Sequence, residues 1–214
     1  MKFKATGTIN VRSSPSINGN IIQQIPVGTI VESDQYSWKE VALANGVRGY
    51  CAANFLQEAP ATKWFKPIRS DKFVVTQGFL VPDSVNYPKT GHHPGVDYGT
   101  QGEDDVPLYF CSDGEVIEIG INNSFGNYFF YYANEVDKTF LYFHLRDAAP
   151  AKGKYNGGVQ CGIAGKTGQS QGIHLHLECM KGRKLSSDRA TLYTSYSALV
   201  AVAENADAFI RARI

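Results

Sequence analysis

Apolar and polar positions alternate with period two through most of the chain. Ile9-Asn10-Val11-Arg12 alternates, and Ile21 to Ile25 is a short apolar run closed by Pro26 and Gly28. Thr29-Ile30-Val31-Glu32, Trp38-Lys39-Glu40-Val41 and Arg48 to Ala52 follow at short intervals. Successive side chains of an extended chain point to opposite faces, so this pattern predicts short, half-buried strands. Residues 13–20 are rich in turn formers, Asn45-Gly46 predicts a tight turn, and Glu58-Ala59-Pro60-Ala61-Thr62 reads as a linker. Short strands at this spacing predict a small barrel over residues 1–58.

The middle of the chain, residues 63–185, is glycine-rich and again strand-like. Gly114 to Ile119 alternates, and Tyr128 to Tyr132 and Thr139 to Leu145 are aromatic-rich runs joined by a hairpin-like connection at 134–138. Ile173 to Cys179 alternates cleanly. An antiparallel sheet with long loops is expected. Over residues 186–214 the period changes: Leu199, Val202, Ala203, Ala206, Phe209 and Ile210 recur at helical spacing, and Glu204 and Asp207 precede Arg211 and Arg213, which suits a helix dipole. The expected fold class is therefore mainly β: a small N-terminal barrel, an antiparallel sheet domain and a docked C-terminal helix.

Composition narrows the function classes. A length of 214 residues allows one large domain or two small ones. Hydrophobic residues at 43% against charged residues at 19% can bury a core, and a net charge of +1 argues against nucleic acid as a partner. No run approaches the roughly 18 apolar residues of a membrane span. The charged start, Met1-Lys2-Phe3-Lys4, is followed by no apolar run, so no secretory signal is read and synthesis in the cytoplasm is expected. Cys51, Cys111, Cys161 and Cys179 form no C-x-x-C pair, which excludes a zinc knuckle and predicts buried, reduced thiols.

The five histidines change the picture most, because all lie between His92 and His176. In His93-Pro94-Gly95-Val96-Asp97 the Pro-Gly pair disfavours a helix, so the segment is a turn running into a strand. In His174-Leu175-His176 the two imidazoles share one face of a strand about 6–7 Å apart, with Glu178 on that face too. His144 stands apart in Leu141-Tyr142-Phe143-His144-Leu145. A catalytic zinc site needs three N or O ligands and an open position. His93, Asp97 and one of His174 and His176 supply that set without a thiolate. His144 and the other histidine of the pair remain for proton transfer and for steadying an oxyanion.

Two family resemblances add to this. Asn10-Val11-Arg12-Ser13, Gly28 before a strand, Trp38-Lys39-Glu40-Val41, Asn45-Gly46, Gly49-Tyr50 and Asn54-Phe55-Leu56 resemble a bacterial SH3-type domain, with Tyr50 where such domains often carry Trp. The resemblance implies a module that binds the bacterial cell wall, with Trp38 and Tyr50 as substrate-contacting aromatics. Further on, Gly91-His92-His93-Pro94-Gly95-Val96-Asp97-Tyr98, Val106-Pro107-Leu108-Tyr109, Asp113-Gly114-Glu115-Val116, Gly126-Asn127, Tyr142-Phe143-His144-Leu145, Gly165-Lys166-Thr167-Gly168-Gln169-Ser170 and Gly172-Ile173-His174-Leu175-His176-Leu177-Glu178 follow in order. Over about residues 75–180 this resembles a lysostaphin/LytM-type zinc endopeptidase.

That resemblance implies Zn²⁺ on His93, Asp97 and His176, with His144 and His174 as the catalytic pair; which of them is the base stays open. It implies that Tyr87 helps hold the substrate carbonyl or the transition state, and it gives His92 no role. It implies hydrolysis of peptide bonds in bacterial peptidoglycan, in the stem peptide or the cross-bridge. The expected protein is thus a monomeric, wall-lytic zinc endopeptidase, in biological setting a phage endolysin. The rival is a non-catalytic wall-binding or scaffolding protein with a vestigial metal site, against which the intact histidine set argues. Such domains usually end soon after the position of Glu178, so the last thirty residues are expected to brace the sheet, hold the SH3-type module or shape the substrate groove.

Overall fold

The structure, a computed structural model, describes residues 2–32, 38–43, 46–58, 63–68 and 73–214. Asn45 of the expected turn and positions 59–62 of the expected linker lie outside the described residues. The chain divides into two compact units, Met1–Ala61 and Thr62–Ile214.

The first unit contains β1 (Lys2–Ala5), β2 (Ile9–Arg12), β3 (Ile21–Ile25), β4 (Ile30–Glu32), β5 (Trp38–Ala42), β6 (Arg48–Ala52) and β7 (Leu56–Glu58). They form one antiparallel sheet in the order β3-β2-β6-β5-β4-β1-β7. Phe3, Ala5, Ile9, Val11, Ile25, Val31, Val41 and Cys51 make its core, so the alternation seen in the sequence is the alternation of burial. In this order β3 and β7 stand at the two ends, and among the described residues no ladder joins them to close the expected barrel. Pro26, which has no N–H to add to a ladder, directly follows β3. Trp38 and Tyr50 lie on the non-core face of the β5–β6 ladder, where Trp38 pairs with Ala52 and Tyr50 with Glu40. Both are half-buried and neither belongs to the core.

The second unit contains β8 (Val74–Gln77), β9 (Gly95–Gly99), β10 (Pro107–Tyr109), β11 (Gly114–Asn122), β12 (Gly126–Ala133), β13 (Lys138–Leu145), β14 (Gly153–Tyr155), β15 (Gln160–Ile163) and β16 (His174–Lys181). The main antiparallel sheet runs β14-β11-β12-β13-β16-β9-β8, and β10 pairs with β15 separately. The sheet is apolar on both faces. Phe129, Tyr131, Phe140, Tyr142, Leu175 and Leu177 point into one core, and Tyr128, Phe130, Leu141, Phe143 and Met180 into the other. All four cysteines are free and buried.

The expected single C-terminal helix is three short ones: α1 (Ser186–Leu192), α2 (Tyr196–Val202) and α3 (Ala206–Arg211). Their breaks have local causes. The Ser195 hydroxyl accepts from Ala198 N–H at 3.2 Å, and the Asn205 side chain accepts from Ala208 N–H at 3.0 Å, so each restarts a helix as its N-cap. Between them Ala203 and Glu204 pair as strand with Met180 and Cys179 of β16. The helically spaced residues are buried as expected, but Leu199 packs on one core and Ala206 and Ile210 on the other.

Removing the Phe129 side chain, which is fully buried, should cost about 3–5 kcal/mol of unfolding free energy in urea, whereas Ile121→Ala, at a site 75% exposed on the neighbouring strand, should stay within about 0.5 kcal/mol. Equal losses would contradict this placement of the core.

Candidate functional site

The site starts from strand register. Asp97 on β9 stands directly across from His176 on β16, and Phe143 on β13 faces His176 from the other side. All three therefore lie in one row on one face of the sheet; a slip of one residue would turn the row into the opposite core. Gly95 stands opposite Glu178, and a Cβ there would come within 2.6 Å of the Leu177 carbonyl and 2.9 Å of His176 Nε2, so only glycine fits. His93 precedes β9 and is led in by two backbone bonds, from Leu80 N–H to its carbonyl and from its own N–H to Val81, both 2.9 Å.

Three donor atoms converge. His93 Nε2 is 3.1 Å from His176 Nδ1 and 3.2 Å from Asp97 Oδ1, and His176 Nδ1 is 2.7 Å from Asp97 Oδ1. Donors held about 2.0–2.1 Å from one ion in a tetrahedron stand about 3.3 Å apart, so the spacing suits a shared metal ion. Two imidazoles and a carboxylate without thiolate are a donor set that fits zinc.

Backbone carbonyls orient the rings. His93 Nδ1–H donates to the Gly78 carbonyl at 2.9 Å, which leaves Nε2 for the metal. His176 is turned the other way: its Nε2–H donates to Glu178 at 3.0 Å and leaves Nδ1 inward. Burial works against charge here, yet the bonds from His176 and His93 outweigh it and hold the Asp97 carboxyl well below the usual carboxylate range. Burial likewise lowers His176, but its bonds to Asp97 and Glu178 prevail and lift it to about 9. The centre thus favours positive charge, as a cation site must.

His144 and His174 stand beside this centre with ring centroids 4.8 Å apart. His144 has φ 64°, a left-handed conformation rarely taken by a residue with a side chain. Its Nδ1–H donates to the Thr167 carbonyl at 2.8 Å, and burial pushes the imidazole down to about 4. His174 Nδ1–H donates to the Gly172 carbonyl at 2.9 Å, its Nε2 lies 3.8 Å from Asp97 Oδ1, and burial lowers its pKa too. Both imidazoles are therefore neutral near pH 7 with Nε2 free to accept.

Tyr87, six residues before His93, also stands at the site. Its ring lies 5.5 Å from that of His93. Burial, then the Glu178 and Asp97 charges, push its hydroxyl far above the ordinary phenol range, so it stays a donor. The Asp83 carboxylate pins this loop by accepting from Gln77 Nε2 at 2.9 Å and Asn86 N–H at 3.0 Å. These residues border a cleft of about 900 Å³ into which His144, His174 and Tyr87 open. Trp38 and Tyr50 belong to the other unit. His92 lies outside the constellation.

Sequence reasoning missed Glu178 and Arg189. The alternation around His176 puts Glu178 on the ligand face, which was the available signal; Arg189 sits in α1 with no motif to mark it.

Comparisons with known proteins agree with this architecture. Residues 7–57 match the bacterial SH3 domain family. Over 123 residues the chain is 33% identical to the peptidoglycan DD-endopeptidase ShyB of Vibrio cholerae, a match covering 55% of this chain and 28% of that relative, so the chain spans less than a third of its length. The catalytic domain of the antimicrobial peptidase lysostaphin from Staphylococcus simulans superposes with TM-score 0.50 at 23% identity, covering 65% of this chain and 92% of that one. A chain of the SpoIIQ–SpoIIIAH pore forming complex superposes with TM-score 0.51 at 18% identity, covering 69% and 90%. The chain thus has the lysostaphin-like fold beside a bacterial SH3 domain. The same fold also occurs in a pore-forming complex, so activity has to be argued from the site.

In an NMR pH titration His144 should remain neutral down to about pH 4, where a solvent-exposed histidine would protonate near 6.5. The unfolded chain takes up this proton first, so the contribution to stability is present above about pH 6.5 and is lost as pH falls through about 4. A midpoint near 6.5 would show that burial does not control this imidazole.

Proposed function

We propose that the chain is a zinc-dependent endopeptidase that hydrolyses peptide bonds of bacterial peptidoglycan, in the stem peptide or the cross-bridge. Residues 63–185 form the catalytic domain, 186–214 its helical extension, and 1–58 a wall-binding module that raises the enzyme's concentration at its substrate. The observation that carries this is the convergence of His93, Asp97 and His176 within 3.2 Å of one another beside two neutral imidazoles in an open cleft. The names of the peptidoglycan endopeptidase and lysostaphin relatives support the substrate class. The pairing of a binding unit with a cutting unit suits a monomeric lysin, phage-type in its setting.

His93, Asp97 and His176 would hold the ion. Zinc, when bound, supplies a Lewis acid that polarises the scissile carbonyl and makes water a nucleophile near neutral pH. The chain supplies the proton traffic. One of His144 and His174 accepts the proton of the attacking water on Nε2 and passes it to the departing amine nitrogen. The other would steady the oxyanion through Nε2–H; because its Nδ1–H is already spent on a backbone carbonyl, this requires it to take up a proton as the negative charge develops. The Tyr87 hydroxyl, kept protonated, donates to the substrate carbonyl. Because burial keeps both imidazoles below their ordinary range, proton acceptance persists on the acid side of pH 6.5.

Purified protein should clear suspended cell walls and lose that activity on thorough chelation; lysis that survives metal removal ends the zinc reading. His176→Ala should lose bound zinc and activity together. His174→Ala should lose roughly 10²–10⁴-fold in activity yet keep its zinc, and equal zinc loss in both variants would overturn this assignment within the pair.

For the binding unit, Trp38→Ala and Tyr50→Ala should each weaken retention on purified walls about tenfold, with hydrolysis of a small soluble peptide unchanged. Undiminished retention would remove these aromatics from the wall contact.

A further inference from the structure

Glu178 is fully buried, two residues along β16 from His176 and on the same face. Its Oε1 accepts from His176 Nε2 at 3.0 Å. Both of its oxygens are also held by one guanidinium: Arg189 Nε lies 2.9 Å from Oε2 and Nη2 lies 2.5 Å from Oε1. This is the two-pronged fit that only an arginine gives a carboxylate. The guanidinium is itself enclosed, with Tyr193, Phe125 and Phe143 rings at 4.6, 4.9 and 5.6 Å. Phe143 in turn stacks on the His176 imidazole, with centroids 5.3 Å apart and planes 6° from parallel. The His176 ring is thus gripped at Nε2 by Glu178 and on its face by Phe143, and Arg189 backs both.

Arg189 comes from α1, in the C-terminal extension. That helix is anchored at its start by two bonds: Leu185 N–H donates to Asp188 at 2.8 Å, and Ser186 N–H donates to Glu118 on β11 at 2.8 Å. Further along the extension, the Tyr196 ring lies 4.4 Å from that of His92, the neighbour of His93. The extension therefore reaches toward two of the three converging residues.

We propose that Arg189 is a positioning residue for the metal centre: by clamping Glu178 it fixes the tautomer and direction of His176, so helix α1 is part of the metal site. This rests on the reading of His93, Asp97 and His176 as zinc ligands. Partners that orient a ligating histidine are typically worth 10–100-fold in metal affinity. Without Arg189, the buried Glu178 loses its permanent counter-ion, and the His176 Nε2–H bond alone is left to hold it.

The test is zinc affinity, measured on the whole chain by competition with a chromogenic chelator, with the visible spectrum of the Co²⁺-loaded protein as a report on ligand geometry. Arg189→Met should weaken zinc binding 10–100-fold and alter the Co²⁺ spectrum. Arg189→Lys, which can reach one oxygen at a time, should fold and lose several-fold, less than the methionine variant. Ile210→Ala, which opens a cavity under α3, should lower the melting temperature with zinc affinity unchanged. If Arg189→Met does not fold, Arg189→Lys decides. Wild-type affinity in the lysine variant, tighter binding in the methionine variant, or an equal loss in Ile210→Ala would each overturn the proposal. Failure of the unaltered chain to bind zinc would instead overturn the endopeptidase reading.

Discussion

Two carboxylates and a histidine lie side by side on one face of a sheet that is otherwise built of aromatic and aliphatic side chains. Isolated charges in such a place would cost several kcal/mol each, so every one must be matched by a partner. Asp97 is matched by His93 and His176, and Glu178 by His176 and Arg189. This requirement explains much of the surrounding structure. It sets the register of β9 against β16, requires glycine at position 95, and brings a cation from α1 across the sheet. The same arrangement of charge that satisfies these groups leaves their open side attractive to a metal ion.

The histidines illustrate how a fold assigns different work to one side chain. Four rings meet at one site, three of them on the cleft wall and His93 buried behind it. Three of the four spend Nδ1–H on a backbone carbonyl, those of Gly78, Thr167 and Gly172, and turn Nε2 toward the site; His176 spends Nε2–H on Glu178 and turns Nδ1 inward. The carbonyls come from separate loops, and the loops are held by contacts of their own. Asn127 N–H and the Leu145 carbonyl both bond the Thr167 hydroxyl, at 3.0 and 2.7 Å. Such support is what allows His144 to remain in a left-handed conformation that would otherwise relax.

The two units differ in what they present at their surfaces. The first places the half-buried Trp38 and Tyr50 on one face of a small sheet whose other face is a compact core. The second encloses its chemistry between two cores and opens it to one cleft. The helical extension belongs to that second unit; α1 and α2 pack on the sheet face that carries Asp97 and His176, and α3 packs on the other core.

What could be read from residue order was whatever depends on neighbours in sequence. Period-two alternation located the strands, because pleated side chains alternate whatever strand they later pair with. His93 to Asp97 and His174 to His176 were recognisable because each pair is local, and their order along the chain carried the resemblance to the peptidase family. The turn chemistry of Ser195 and Asn205 was also present in the sequence, yet helical spacing from Leu199 to Ile210 spoke for one continuous helix until Ala203 and Glu204 found β16. Strand order, ring direction and the Arg189–Glu178 clamp were decided only in three dimensions. Each depends on groups far apart in the chain meeting at hydrogen-bond distance, and no periodicity or spacing encodes such a meeting; the packing of the whole unit determines it.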